Sequence, residues 1–366
     1  MSMQRRNRPR VVLTLGDVAG IGPEIVLRAW PELVGICVPT VVGEVAVLQR
    51  QARHFTLSRQ VEKVAHAASD GVSETVVPCI QGTEQDLQEV GFGRVHAAAG
   101  RAAYDFLCWA VAEVRAGFAD ALVTGPIHKE ALAAAGLPYP GHTEILAELC
   151  GVRRFAMMLF ARREERVATS ADIPLAEARP SSPDTPGFSG WGVAHVTLHV
   201  RLRDIFERIT TTAVLEKIEL LGELLRQLLM REPRLAVCGL NPHASDGGLF
   251  GDEERRIIRP AVEEAERRGW KVSGPWPADT LFPRAARGEL DGIVAMYHDQ
   301  GHIPFKLLAG LRAVNVTLGL PIVRTSVAHG TAYDIAGRGV ADTRSLVEAV
   351  RVAARLVHAR QRQTAL

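Results

Sequence analysis

The stretch Thr14-Leu-Gly-Asp-Val-Ala-Gly-Ile-Gly-Pro-Glu24 decides the fold class. It closes a short apolar run, Val11–Leu15, and opens a helical pattern, Gly22–Trp30, with Pro23 at a first helical position where its missing N–H costs nothing. Strand, glycine-rich turn and helix in that order begin a βα unit. The turn offers unpaired backbone N–H groups and a positive helix end to an anion. Gly16, Gly20 and Gly22 do not fit Gly-x-Gly-x-x-Gly, however, and no Gly-x-x-x-x-Gly-Lys-Ser/Thr occurs in the chain. By pattern alone this is a tight turn, and a nicotinamide cofactor bound here would use something other than the Rossmann glycines.

The same alternation continues along the chain. Val38–Val42, Ala121–Thr124, Phe155–Phe160, Arg234–Gly239, Gly292–Ala295 and Val314–Leu318 read as buried strands. Asp252–Arg268 is a Glu- and Arg-rich segment with an apolar stripe, and Asp342–Gln361 carries Leu346, Val350, Ala353 and Val357 at helical spacing. The pattern predicts α/β architecture, with parallel sheets covered by helices and no internal repeat. Ala178–Trp191 breaks it, with Pro180, Pro183, Pro186, Gly187 and Gly190 among serines, and reads as an exposed loop inserted into one domain rather than as a linker.

A chain of 366 residues is long enough for two domains or one large α/β unit. Its 47% hydrophobic and 23% charged residues are those of a globular protein. Lys plus Arg, 43, barely exceed Asp plus Glu, 41, so the footprint of a nucleic-acid binder is missing and a small-molecule partner is expected. Cys37, Cys79, Cys108, Cys150 and Cys238 are widely spaced without a Cys-x-x-Cys pair, which predicts reduced thiols and a cytoplasmic setting. Arg5, Arg6, Arg8 and Arg10 precede an apolar run that stops at Gly16-Asp17, too short for a signal peptide. No stretch reaches the length of a membrane helix, so no membrane partner is expected.

Four histidines stand at predicted strand ends or in glycine-rich loops: His142, His199, His243 and His298. Three imidazoles from distant segments suit zinc or a neighbouring transition ion, although each alone is as well explained as a hydrogen-bonded structural residue. Lys306, Asn315 and Arg324 lie at boundaries of apolar elements, where they either converge on a phosphate or stand as surface residues in water.

Together these segments resemble the 4-hydroxythreonine-4-phosphate dehydrogenases of pyridoxal phosphate biosynthesis and their catabolic paralogues. The resemblance is carried by Gly16-Asp-Val-Ala-Gly-Ile-Gly-Pro-Glu24, Leu122-Val-Thr-Gly-Pro-Ile-His-Lys129, Gly141-His-Thr-Glu144, Cys238-Gly-Leu-Asn-Pro-His-Ala244, Pro277-Ala-Asp-Thr-Leu-Phe282, Met296-Tyr-His-Asp-Gln-Gly301, Val314-Asn-Val-Thr-Leu-Gly-Leu-Pro321 and Arg324-Thr-Ser-Val-Ala-His-Gly-Thr331, with Ala336-Gly-Arg-Gly339. It implies a fold like isocitrate and isopropylmalate dehydrogenases, two α/β domains around an active-site cleft, in a homodimer with a shared site. In this reading residues 1–140 with 300–366 form a domain carrying the NAD-side elements. Residues 141–299 form the metal, substrate and dimerisation domain, with an inserted loop at about 163–193. The resemblance further implies NAD or NADP as cofactor and a divalent metal, zinc first, with magnesium, manganese or cobalt as alternatives. It maps metal ligands onto His199, His243 and His298, substrate contacts onto His142, Thr143, Lys306, Asn315 and Arg324, and catalytic roles onto Asp279 and Lys306.

One segment departs from the family pattern. Arg166-Val-Ala-Thr-Ser-Ala-Asp-Ile-Pro-Leu175 also resembles the strand before the first metal ligand and would place Asp172 there, whereas Val196-Thr-Leu-His199 keeps the histidine. The reading takes His199. The implied reaction is oxidation with decarboxylation of a phosphorylated hydroxy acid, 4-hydroxy-L-threonine 4-phosphate giving 3-amino-2-oxopropyl phosphate. His302 and the stretch Ala244-Ser-Asp-Gly-Gly-Leu-Phe250 resemble the catabolic branches, which act on D-threonate or D-erythronate 4-phosphate or on aromatic cis-dihydrodiol carboxylates. A metal- or phosphate-binding regulatory protein on the same scaffold is the non-enzyme alternative.

Overall fold

The computed structural model describes residues 8–67, 72–163 and 188–364. Asp172 and most of the proline-rich stretch from Ala178 lie outside them. The chain divides into two compact units, Met1–Arg153 with Val314–Leu366, and Arg154–Ala313.

The first unit is built on β1 (Arg10–Thr14), β2 (Val38–Gly43), β3 (Gln60–Val64), β4 (Val76–Gln81), β5 (Ala121–Thr124), β11 (Val314–Leu318) and β12 (Val323–Val327), in the sheet order β3-β4-β2-β1-β5-β12-β11. β1 runs parallel between β2 and β5, with Val12 opposite Thr40 on one side and Leu122 on the other. A parallel strand covered on both faces needs a continuous apolar run, and Val11–Leu13 with Thr14 are all buried. α1 (Gly22–Ile36) follows with Pro23 in its first turn and buries Ile25, Val26, Ala29, Trp30 and Leu33. α3 (Ala97–Arg115) packs on β1 and β2, and α10 (Arg344–Thr364) on β12 and β5. α2 (Val45–His54), α4 (Lys129–Ala134) and α5 (His142–Cys150) complete the unit.

The second unit holds β6 (Ala156–Arg162), β7 (Gly190–His195), β8 (Leu235–Cys238), β9 (Val272–Trp276) and β10 (Gly292–Ala295), in the order β6-β7-β10-β8-β9. α6 (Thr211–Leu229) packs on β7 and β10; the hydroxyl of Thr210 caps it by accepting the Ala213 N–H at 3.2 Å. α7 (Arg259–Arg267), α8 (Ala278–Ala286) and α9 (His298–Ala309) follow.

Every strand read from the sequence is present, but the sheets are not wholly parallel. β11 pairs antiparallel with β12, to which the four residues 319–322 join it as a hairpin, and β6 pairs antiparallel with β7. The exposed loop expected through Trp191 also ends earlier. Gly190–Val193 enter β7, where Trp191 is buried, and the N–H of Arg163 donates to the Ser189 carbonyl at 2.9 Å, so the expected insertion is narrower at both ends.

A buried carboxylate gathers three arginines in the second unit. Asp291, 0% exposed, accepts from Arg231 at 2.8 and 2.9 Å and from Arg234 at 3.0 and 3.1 Å, and pairs with Arg163. Burial alone would raise this carboxyl, but the guanidinium donors outweigh it and hold it well below the usual carboxylate range. Removing one partner leaves uncompensated charge, so Asp291→Asn is expected to cost roughly 3 kcal/mol at neutral pH. A carboxylate with a depressed native pKa stabilises above its unfolded value near 3.8 and loses that contribution as pH falls below it. Urea unfolding of parent and variant from pH 7 down to 3 should therefore show the gap closing at the acid end.

Candidate active site

In the first unit three loops meet at the carboxyl ends of β1, β5 and β12, the end of a parallel sheet where ligands gather. The Asp17 N–H donates to the Pro126 carbonyl at 2.9 Å, and the Ile21 N–H to the Thr331 carbonyl at 3.0 Å. Gly16 has φ +67°, and a Cβ there would lie 2.1 Å from the Pro126 oxygen, so only glycine lets these loops touch. The buried Asp17 carboxylate accepts the Tyr333 hydroxyl at 2.7 Å and the Ala19 N–H at 2.9 Å; burial raises its pKa against these donors. The Tyr333 ring stacks on His128 at 4.5 Å.

Arg324 lies inside β12 and is 1% exposed. Its guanidinium donates to two hydroxyls, Thr317 of β11 at 2.8 Å and Thr124 of β5 at 2.6 Å, and its Nε is buried without a partner. Burial brings its pKa down to about 9, with Glu144 opposing. His142, the first residue of α5, lies near it. Burial, then the charge of Arg324, holds His142 well below the ordinary histidine value, and its Nε2 is buried and unpartnered. Thr143 is next on α5, and Asn315 sits on β11, whose register places it opposite Ser326 of β12. Four of the expected substrate contacts, His142, Thr143, Asn315 and Arg324, thus belong to this unit.

The second unit gathers imidazoles. His298 begins α9, and its Nδ1 meets the Asp299 carboxylate at 2.7 Å. His199 lies 6.0 Å from it, ring to ring. Two histidines the sequence reading gave no site role complete the group: His302 stacks on His298 at 3.8 Å, and His195 meets His302 at 3.1 Å between ring nitrogens. Burial, followed by neighbouring histidines, lowers both, His302 to about 4 and His195 well below the ordinary histidine value. β7 ends at His195, so His199 stands beyond the strand rather than at its end, as the sequence had suggested. Lys306 is exposed one turn after His302, and Asp279 is exposed in the first turn of α8.

His243 does not join this group. It sits exposed in the turn Pro242–Gly248, with φ 54°, its ring 6.4 Å from Phe250. Among the described residues no three His, Cys, Asp or Glu side chains are placed to hold one ion. The fit to a divalent metal is partial: the imidazole donors suit it and His199 and His298 are adjacent, while the third donor stands apart. The His298, His302, Lys306 spacing of four was the signal that could have shown one helical face. His195 had only its position four residues before His199.

Loops gathered at the carboxyl ends of parallel strands, around a buried guanidinium and a neutral imidazole, fit an α/β enzyme. The chain belongs to the family of the pyridoxal phosphate biosynthetic protein PdxA, whose model matches residues 35–353. It is 42% identical over 347 residues to a 4-hydroxythreonine-4-phosphate dehydrogenase of Beijerinckia indica, covering 94% of each chain. It is 41% identical over 356 residues to a D-threonate 4-phosphate dehydrogenase of Cupriavidus necator, covering 95% of this chain and 97% of that one. The crystal structure of 4-hydroxythreonine-4-phosphate dehydrogenase from Klebsiella pneumoniae matches with a TM-score of 0.79 at 37% identity, over 95% of this chain and 99% of that one. The resemblance read from the motifs is the one found.

His142, His195 and His302 fold as neutral rings, while an unfolded histidine protonates near 6.5. Below that pH the unfolded chain binds more protons, so stability falls as pH drops from 6.5 towards 4, by at most ~1.4 kcal/mol per pH unit for each group. Denaturant unfolding at pH 7 and pH 5 should show the loss, and His302→Gln should flatten it.

Proposed function

We propose that this oxidoreductase, acting on a CH–OH group, oxidises a 4-phosphorylated hydroxy acid, 4-hydroxy-L-threonine 4-phosphate in the first place. The hydroxyl-bearing carbon gives hydride to NAD or NADP and the hydroxyl loses its proton. The resulting β-keto acid releases carbon dioxide and leaves 3-amino-2-oxopropyl phosphate. The observation that carries the reading is Arg324, a buried cation whose hydrogen bonds go to hydroxyls and whose Nε is unpartnered, with its charge felt by His142, whose Nε2 is also unpartnered. Such a group favours a dianionic ligand. Arg324, Asn315 and Lys306 are assigned to the phosphate, and His142 and Thr143 to the other end of the substrate, where remote binding energy fixes the reacting carbon. Asp279 is assigned to take the hydroxyl proton, and Lys306 to assist catalysis as the nearby cation.

His199 and His298 would hold a divalent ion, zinc before magnesium, manganese or cobalt, and the ion would supply Lewis-acid polarisation of the substrate oxygen. His243, apart from them within one chain, would complete the set from a second copy in a homodimer. Leu202, Phe206, Leu249, Phe250, Ile303 and Leu307 are each exposed on the second unit, apolar side chains that such a contact would cover. We assign the cofactor to the first unit, in an architecture of the isocitrate and isopropylmalate dehydrogenase type. No helix among the described residues is long and apolar enough to cross a membrane, and all five cysteines are free thiols, which supports a cytoplasmic setting.

D-threonate 4-phosphate is the second reading, favoured by the relative of that name. Initial rates of NADH formation by metal-stripped and metal-restored protein, with both phosphorylated substrates in parallel, decide between them. Metal-dependent turnover faster with hydroxythreonine phosphate is the expected result. The reverse order transfers the assignment to threonate phosphate, and turnover of neither removes the phosphate reading and leaves the unphosphorylated cis-dihydrodiol acids and the regulatory alternative. Arg324→Met should raise KM for the phosphorylated substrate by roughly 10- to 100-fold, the value of a charge-assisted hydrogen bond, with a smaller change in kcat.

A further inference from the structure

Beneath the α9 face that carries His298 lies a second layer of imidazoles. We infer that His302 and His195 are positioning residues for His298, holding its ring in the one orientation from which it can serve a divalent ion. The inference rests on the metal reading proposed above and concerns residues assigned no role there.

His298 and His302 are one helical turn apart, and their rings stack at 3.8 Å with planes 12° from parallel. The stack covers one face of His298 and sets its plane, while Asp299 holds Nδ1 at 2.7 Å. With the plane and one nitrogen fixed, Nε2 points in a single direction. This is the work that neighbours of a ligating histidine do, commonly through a carboxylate on the second nitrogen.

His302 is not left to turn. Its Nδ1 meets Nε2 of His195 at 3.1 Å, and two neutral imidazoles bond only when one offers N–H and the other a lone pair, so their tautomers are fixed relative to one another. His195 ends β7 and is 2% exposed. The backbone of α9 lies directly on its ring: a Cβ at position 301 would stand 2.3 Å from His195 Nε2, and Gly301 is what admits the contact. The Nδ1 of His195 is buried without a partner. A pair of leucines would fill this space without that desolvation cost. Packing alone therefore does not account for imidazoles here, whereas a relay of fixed ring planes from the rigid end of β7 to His298 does.

The test is cobalt(II) binding by metal-stripped full-length protein, read from the visible absorption of the bound ion and by competition with a chromophoric chelator. The parent is expected to bind saturably and His298→Ala to lose the band. His302→Leu, which removes both ring plane and hydrogen bond, should bind roughly 10- to 100-fold more weakly, with a shifted band at saturation. His302→Gln keeps a hydrogen-bonding group towards His195 but not the stack, and should lie on the same side. It also decides the matter if His302→Leu fails to fold. A purely structural role would lower Tm while leaving the saturated spectrum as in the parent. Parent-like affinity and spectrum in the folded His302 variants would overturn the positioning role while leaving the metal reading intact. A parent that binds no cobalt, or a His298→Ala that binds as the parent does, would overturn the metal reading and this inference with it.

Discussion

Parallel strand pairing in register is the constraint from which the sites follow. In the first unit β1 is flanked by β2 and β5, both parallel to it, and β12 runs parallel to β5. Strands pointing the same way deliver their following loops to the same end, so Gly16–Ile21, Gly125–His128 and the segment after Val327 have no choice but to meet. The second unit repeats the rule. β7 and β10 are parallel, with His195 opposite Ala295, so a residue three places beyond Ala295 arrives over the end of β7. That residue is His298. The imidazole group is thus a product of sheet register and one turn of α9, not of local sequence.

The two units treat charge in opposite ways. The first buries a cation, Arg324, among hydroxyls and near a histidine kept neutral, with the Glu144 charge acting on it but no carboxylate among the described residues hydrogen-bonded to it. The second compensates its buried charge fully around Asp291, and keeps its other titratable cluster, His195 and His302, uncharged. Compensated charge is structural, since it already has its partner. Uncompensated charge is costly to stability and therefore directs attention to a ligand.

Fold class was legible because the apolar strands are continuous: Val11–Leu15 and Gly292–Ala295 are buried on both faces and read as such. Four of the five strands that escaped notice lack that signature, and the fifth, β4, has it at Val77, Cys79 and Ile80 but is interrupted by Pro78. β3 is largely exposed, with Val61 its buried residue, β7 opens Gly-Trp-Gly, β9 contains Pro275, and β12 carries Arg324, Thr325 and Ser326 in its buried centre. A buried strand with a polar centre carries no apolar run, which is why a hydrophobicity rule passes over β12. Arg324, His142 and His298 were singled out through the motifs that contain them. His195 was not, because its role depends on a register that links positions about a hundred residues apart, and no local spacing encodes that.

The ends of the stretch 164–187 are fixed by a hydrogen bond between Arg163 and Ser189 and by the face-to-face rings of Phe160 and Phe188, 6.1 Å apart. The antiparallel pairing of β6 with β7 already brings Arg163 and Ser189 together, whatever the sequence between them. Closing a chain whose anchors are preset depends on its length only logarithmically, about 0.6 kcal/mol for each doubling. Sequence can therefore be gained, lost or exchanged between Arg163 and Phe188 at little cost in closure entropy, because the β6–β7 register is set by residues outside that interval.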